Sequence, residues 1–134
     1  MIFVDSNVVI DVLVESEWTD WSETQLATAG DQARIANHVV LAEISARFRR
    51  PQEAPEFLAQ ADIRLLPLND DAAYLAGRAH YAYRRAGGAR TGILADFLIG
   101  GHAAALGATL ITRDRQRFSA YFPDLTLITP ETHP

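Results

Sequence analysis

The stretch from Ile93 to Phe118, ILADFLIGGHAAALGATLITRDRQRF, constrains this chain more than any other. It reads as a helix, a glycine turn, the short apolar strand Thr109-Leu110-Ile111 and a polar strand end. In the helix, Leu94, Phe97, Leu98, Gly101 and Ala105 fall on one stripe. The stretch also places Asp96 inside an apolar run, near the middle of the expected helix, and Asp114 just past a strand. Carboxylates in such surroundings are costly to bury without partners, so the rest of the chain is read for what they face.

Upstream, Ile2-Phe3-Val4 is apolar without alternation, as in a strand covered on both faces, and Asp5-Ser6-Asn7 ends it with turn chemistry. A helix is expected from near Val8 to about Val14, then a loop and a second short helix ending at Gly30, in an acidic segment that carries Trp18 and Trp21. Arg34 to Val39 reads as a second strand. Val40 to Arg49 reads as a helix, with Leu41, Ile44 and Phe48 on one side and Pro51 as its stop. A brief helix from Glu53 to Ala61 leads to a third strand, Ile63 to Leu66. Asn69 is the expected cap of a helix running to Ala86, with Asp70 and Asp71 in its first turn and Gly87-Gly88 after it. After Asp114 come a short helix from Gln116 to Tyr121 and a fifth strand, Leu125 to Ile128. Strands alternating with helices predict an α/β fold: a parallel sheet with helices on both faces. Residues 1–134 form one domain, long enough to remove roughly two-thirds of the unfolded surface from water.

Composition excludes several chemistries. With no cysteine there is neither a disulfide framework nor a thiolate metal site, which suits a reducing cytoplasm. The start, MIFVD, has no basic leader, and the longest apolar run is broken by Asp96 and His102, so neither a signal peptide nor a membrane span is expected. The four histidines share no ligand spacing, and there is no P-loop, GxGxxG or GxSxG. The net charge of -5 alone argues against a polyanionic partner. The distribution argues the other way. All 12 basic residues are arginine, and nine fall in three clusters: Arg47, Arg49 and Arg50; Arg84, Arg85 and Arg90; Arg113, Arg115 and Arg117. Arginine grips phosphate bidentately, although solvated helix ends account for such clusters equally well one at a time.

In an open parallel sheet, reactive groups gather beyond the carboxyl ends of the strands. Asp5 follows the first strand and Asp114 the fourth, so the two share a crevice if those strands are neighbours; each could instead only cap the helix after it. Around Asp96, positions one turn apart are Gly92, Gly100 and Ala103, which suggests an open strip in front of the carboxylate. The competing reading is that Gly100 and Gly101 let a neighbour pack closely. Glu43 is either a fourth site acid or half of a helical pair with Arg47. Three or four carboxylates brought together need cations, and oxygen donors of this kind suit Mg²⁺ or Mn²⁺. Such a site hydrolyses phosphodiesters by activating water, with no protein nucleophile.

Taken in order, MIFVDSN, VVLAEIS with Glu43, ILADFLIGGHAAALGATLIT with Asp96, and TRDRQRF with Asp114 resemble a PIN-domain ribonuclease of the VapC toxin type. The resemblance covers essentially the whole chain. It implies a PIN-like three-layer α/β/α sandwich around a parallel sheet of about five strands. It maps Asp5, Glu43, Asp96 and Asp114 to an acidic quartet that is catalytic and metal-binding, and Asn7 and Thr112 to supporting polar positions. It further implies Mg²⁺-dependent endoribonuclease activity, a homodimer, and inhibition by a small VapB-type antitoxin that covers the pocket. Arg90, Arg113, Arg115 and Arg117 are the expected grip on the RNA backbone. The alternative is a non-catalytic PIN-like protein that holds RNA or a partner without cutting. A phosphatase with an Asp-x-Asp pair would need an acid at Asn7, and a phosphoacceptor receiver would want a lysine, which the chain lacks.

Overall fold

Ile2–Val4 forms β1, buried on both faces as its unbroken apolar character requires. It lies at the centre of a five-stranded, all-parallel sheet in a computed structural model that describes all residues, 1–134. The other strands are β2 (Arg34–Ala36), β3 (Ile63–Leu65), β4 (Thr109–Ile111) and β5 (Leu127–Ile128), in the spatial order β3-β2-β1-β4-β5. Phe3 pairs with Ile35 on one side and Leu110 on the other, so the middle of the sheet is a row of fully buried apolar residues. The chain winds outward from β1 through β2 to β3, then returns to place β4 on the opposite flank of β1. The reversal lies between β1 and β4, where an open α/β sheet leaves a crevice at its carboxyl edge.

Seven helices connect the strands and complete the three-layer α/β/α arrangement: α1 (Ser6–Leu13), α2 (Thr19–Thr28), α3 (His38–Ser45), α4 (Glu53–Gln60), α5 (Asp70–Arg85), α6 (Ile93–Leu106) and α7 (Arg115–Tyr121). None is long and apolar enough to cross a membrane. Helix α1 begins two residues earlier than expected because the Asp5 side chain accepts a hydrogen bond from the Ser6 N–H. β2 stops at Ala36 rather than at Val39. The buried Asn37 side chain accepts from the N–H groups of Val39 and Val40, and this cap draws two β-branched residues into α3. Asn69 caps α5 as its sequence predicts, accepting from the Ala72 N–H.

Helix α6 differs from the one-sided stripe. Leu94 is 42% exposed, whereas Phe97, Ile99, Gly100, Gly101, His102 and Ala103 are buried. The helix is enclosed because three elements meet it. A Cβ built at Gly101 would lie 2.8 Å from the Ala76 nitrogen of α5, and one at Gly100 would lie 2.6 Å from the Phe122 ring and 2.9 Å from that of Phe118. The Asn37 amide stands 3.1 Å from His102 Nδ1. Burial lowers the pKa of His102 and so favours the neutral ring, the form in which Nδ1 can accept from that amide. The open strip expected before Asp96 is therefore absent at Gly100, where aromatic side chains fill the space. These glycines serve close packing.

Candidate active site

Asp5 leaves β1 into the crevice and is 3% exposed. Its Oδ1 accepts from the Ser6 N–H at 2.7 Å and its Oδ2 from the Thr112 hydroxyl at 2.7 Å. Burial pushes its pKa up to about 6, the neighbouring charges of Asp96 and Glu43 add to the rise, and the two hydrogen bonds oppose it. Thr112, fully buried just after β4, is the hub between the two strand ends. Its Oγ1 also accepts from the Asp114 N–H at 3.0 Å and from the Asn7 amide at 3.4 Å, while Asn7 Oδ1 accepts from the Arg113 N–H at 3.3 Å. Capping and membership of the crevice are thus compatible for Asp5, which does both.

Glu43 reaches across from α3, where its Oε1 accepts from the Ser6 hydroxyl at 2.9 Å. The Arg47 side chain bonds only the Glu43 carbonyl oxygen, so the carboxylate is not spent on a helical ion pair. Partial desolvation raises its pKa and the charge of Asp96 adds to this. Asp96 sits in the first turn of α6, which runs from Ile93 to Leu106, and not near its middle as the sequence suggested. Desolvation raises its pKa too, against the nearby charge of Arg117. Asp114 caps α7, accepting from the Arg117 N–H at 3.3 Å. One guanidinium nitrogen, Nη1 of Arg117, lies 2.7 Å from Asp96 Oδ2 and 3.1 Å from Asp114 Oδ2.

The four acids come from four elements and converge on one edge, close enough that Asp96 acts electrostatically on both Asp5 and Glu43. No three of them stand in metal-ligand geometry. Their chemistry nevertheless fits a hard cation: the donors are all oxygen, and burial raises the pKa of three of the carboxyls, so their ionised forms are poorly solvated where they stand. Asp5, Glu43, Asp96 and Asp114 are the residues that could hold Mg²⁺ or Mn²⁺. A groove of about 210 Å³ opens beside Asp114, lined also by Arg117, Arg90, Gln116 and Tyr121 among others. Larger grooves of about 380 and 390 Å³ elsewhere are lined by none of the four acids.

The arginines divide into two pairs. Arg90 and Arg115 are exposed and make no ion pair, whereas Arg113 and Arg117 are engaged by acids. Arg113 donates to Asp11 through Nε at 2.8 Å and Nη2 at 3.1 Å, and its guanidinium lies 5.4 Å from the centre of the Trp18 ring. Asp11 is buried and also accepts from the Ser22 hydroxyl at 2.7 Å. This knot ties α1, α2 and the β4–α7 loop together, and so fixes the backbone next to Asp114. Sequence reasoning passed over Asp11, although a lone acid among Val8, Val9, Ile10, Val12 and Leu13 carries the same signal that singled out Asp96. The two tryptophan rings meet edge to face at 6.5 Å, and Trp21 Nε1 donates to the His133 carbonyl.

Comparisons with known proteins agree with this architecture. The family described as PIN domain matches residues 2–121. Among solved structures, VapBC2 from Rickettsia felis, bound to a DNA fragment from its promoter, contains a chain with a TM-score of 0.73 at 18% identity, covering 96% of this chain and 98% of that one. FitAcB from Neisseria gonorrhoeae gives 0.71 at 21% identity, over 98% of this chain and 99% of that one. A toxin-antitoxin complex from Klebsiella pneumoniae gives 0.68 at 18% identity, over 97% and 98%. At such identities the likeness is one of fold. No curated protein matches. With a family match that runs from β1 through α7, and with acids gathered where the sheet reverses between β1 and β4, the chain belongs to the PIN-domain family.

Proposed function

We propose that this PIN domain is a Mg²⁺-dependent endoribonuclease toxin of a VapC-type toxin–antitoxin module. The observation that carries the reading is the convergence of Asp5, Glu43, Asp96 and Asp114 at the β1–β4 switch point, three of them with raised carboxyl pKa values. Asp5 and Asp96 would be the chief holders of Mg²⁺ or Mn²⁺, with Glu43 and Asp114 completing the pocket. The cation would supply an activated water and neutralise charge on the phosphodiester. The chain's own residues do the rest. Thr112 and the Ser6 N–H hold the Asp5 carboxylate in one orientation, Asn7 locks Thr112 to the β4–α7 loop, and the Ser6 hydroxyl aims Glu43.

Exposed Arg90 and Arg115 flank the acids and are placed to meet RNA phosphates without reading bases. Arg113 contributes through Asp11, by fixing the loop, and Arg117 lies within reach of the same backbone. The fold shared with VapBC and toxin–antitoxin complexes supports a small VapB-type antitoxin as partner, and the reading takes a homodimer as the working form. This reading puts the protein in the cytoplasm with its RNA substrate.

Expression in a bacterium tests it. The wild type is expected to arrest growth, and Asp96→Asn, produced as folded protein, is expected to relieve the arrest. Arrest that persists with folded Asp96→Asn contradicts the catalytic assignment.

A further inference from the structure

Two of the four acids already have a cation between them, and it belongs to the chain. Asp96 begins α6 and Asp114 caps α7, 18 positions apart in sequence, and Nη1 of Arg117 spans both at 2.7 and 3.1 Å. Arg117 is the only hydrogen-bond partner of the Asp96 carboxylate. The arginine is also fixed from its own end. Its N–H bonds Asp114 Oδ1, so the first turn of α7 directs the side chain back over the residue that caps it. Arg117 is only 20% exposed, unlike Arg90 and Arg115. It differs from a surface ion pair in being enclosed, in bridging two helices, and in resting on oxygens of both carboxylates that a metal would need.

We propose that Arg117 is a built-in competitor of the divalent cation, occupying the place between Asp96 and Asp114 until the metal displaces it. The inference rests on the metal-binding part of the proposed function. A guanidinium and a divalent cation cannot share the same two Oδ2 atoms without bringing like charges into contact in a partly desolvated site. The carboxylates therefore turn from one to the other. Displaced, Arg117 moves into the adjoining groove beside Arg90 and Gln116, where it gains the freedom to meet a phosphate.

Mn²⁺ titration of the full-length, metal-free protein, followed by electron paramagnetic resonance, tests this directly. Arg117→Gln is expected to bind Mn²⁺ at least tenfold more tightly than the wild type. Its melting temperature should fall without metal, where two carboxylates lose their shared cation, and recover with Mn²⁺. Equal or weaker Mn²⁺ binding by Arg117→Gln, or no Mn²⁺ binding by either protein, overturns the proposal. A second measurement needs no variant. In nitrogen-15 spectra of wild-type arginine side chains, Mg²⁺ should shift the Arg117 signal toward that of a free arginine; an unchanged signal on the Mg²⁺-saturated protein is a refutation. Tighter binding by Arg117→Gln together with a wild type that cuts no RNA would uphold the competition and reject the ribonuclease reading.

Discussion

Asp5→Asn is expected to lower RNA cleavage by at least about a hundredfold while making the metal-free protein more stable at pH 7. The loss follows from position, since removal of even an outer partner of a metal ligand costs about 10- to 100-fold. The gain in stability follows from linkage. The folded-state pKa of Asp5 is about 6 against an ordinary value of 3.8, so the folded protein binds this proton more tightly than the unfolded chain does. The stability this provides is fully present below pH 3.8 and is lost as pH rises through 6. At neutral pH the buried carboxylate therefore works against folding by about 3 kcal/mol. Asparagine removes that charge and keeps the cap on Ser6, but gives up a charge-assisted bond from Thr112, so a net gain of about 1–2 kcal/mol is expected. Urea unfolding without metal, from pH 5 to 8, measures it: the difference between variant and wild type should widen as pH rises. A variant less stable than wild type at pH 7, or a difference independent of pH, would falsify the account of Asp5. Mg²⁺ should narrow the difference by stabilising only the wild type.

Gly101→Leu is expected to prevent folding, and Gly101→Ala to cost about 2 kcal/mol or more. At Gly101 the obstacle is backbone, with the Ala76 nitrogen at 2.8 Å and the Ala72 carbonyl oxygen at 3.0 Å from an added Cβ. Neither atom can move unless α5 and α6 separate along their length. The usual benefit of replacing a helical glycine by alanine, about 1 kcal/mol, is too small to offset this. Gly100 is the informative contrast, because there the obstacle is side chain rather than backbone, the rings of Phe122 and Phe118. Gly100→Ala should cost less than Gly101→Ala, and Gly100→Leu should lose structure and activity together. Equilibrium unfolding of the four variants orders them. A Gly101→Leu protein with wild-type stability is the result that would sink the packing argument.

The sheet was legible in the sequence, and so were Asp5 and Asp114 at the ends of its strands, because both depend on local signals. Apolar triplets such as Ile2–Val4 and Thr109–Ile111 mark strands covered on both faces, and an Asp immediately beyond such a strand points to the carboxyl edge. Whether those edges adjoin is a matter of topology, and the observed pairing of β1 with β4 supplies it. The glycine face of α6 was left between an open strip and close packing because helical periodicity says which residues share a side but not what fills the space beyond. Phe118 and Phe122 come from the next helix and its end, and Ala72 and Ala76 from the preceding one. The fate of the arginines was hidden for the same reason. The spacing of Asp114 and Arg117 permits an ion pair, but nothing local links Arg117 to Asp96, or Arg113 to Asp11 across 102 positions. The strand end at Ala36 shows a local conflict instead, in which the cap chemistry of Asn37 outweighs the β preference of Val39 and Val40.

The most direct test of the central claim is cleavage of a defined RNA by the purified wild type and Asp96→Asn, with Mg²⁺ and then with chelator added. Cleavage by the wild type that stops with chelator, resumes with added Mg²⁺ and is absent in folded Asp96→Asn is the predicted result. RNA that is bound but left intact by the wild type in Mg²⁺ and in Mn²⁺, or cut equally well in chelator, would contradict it.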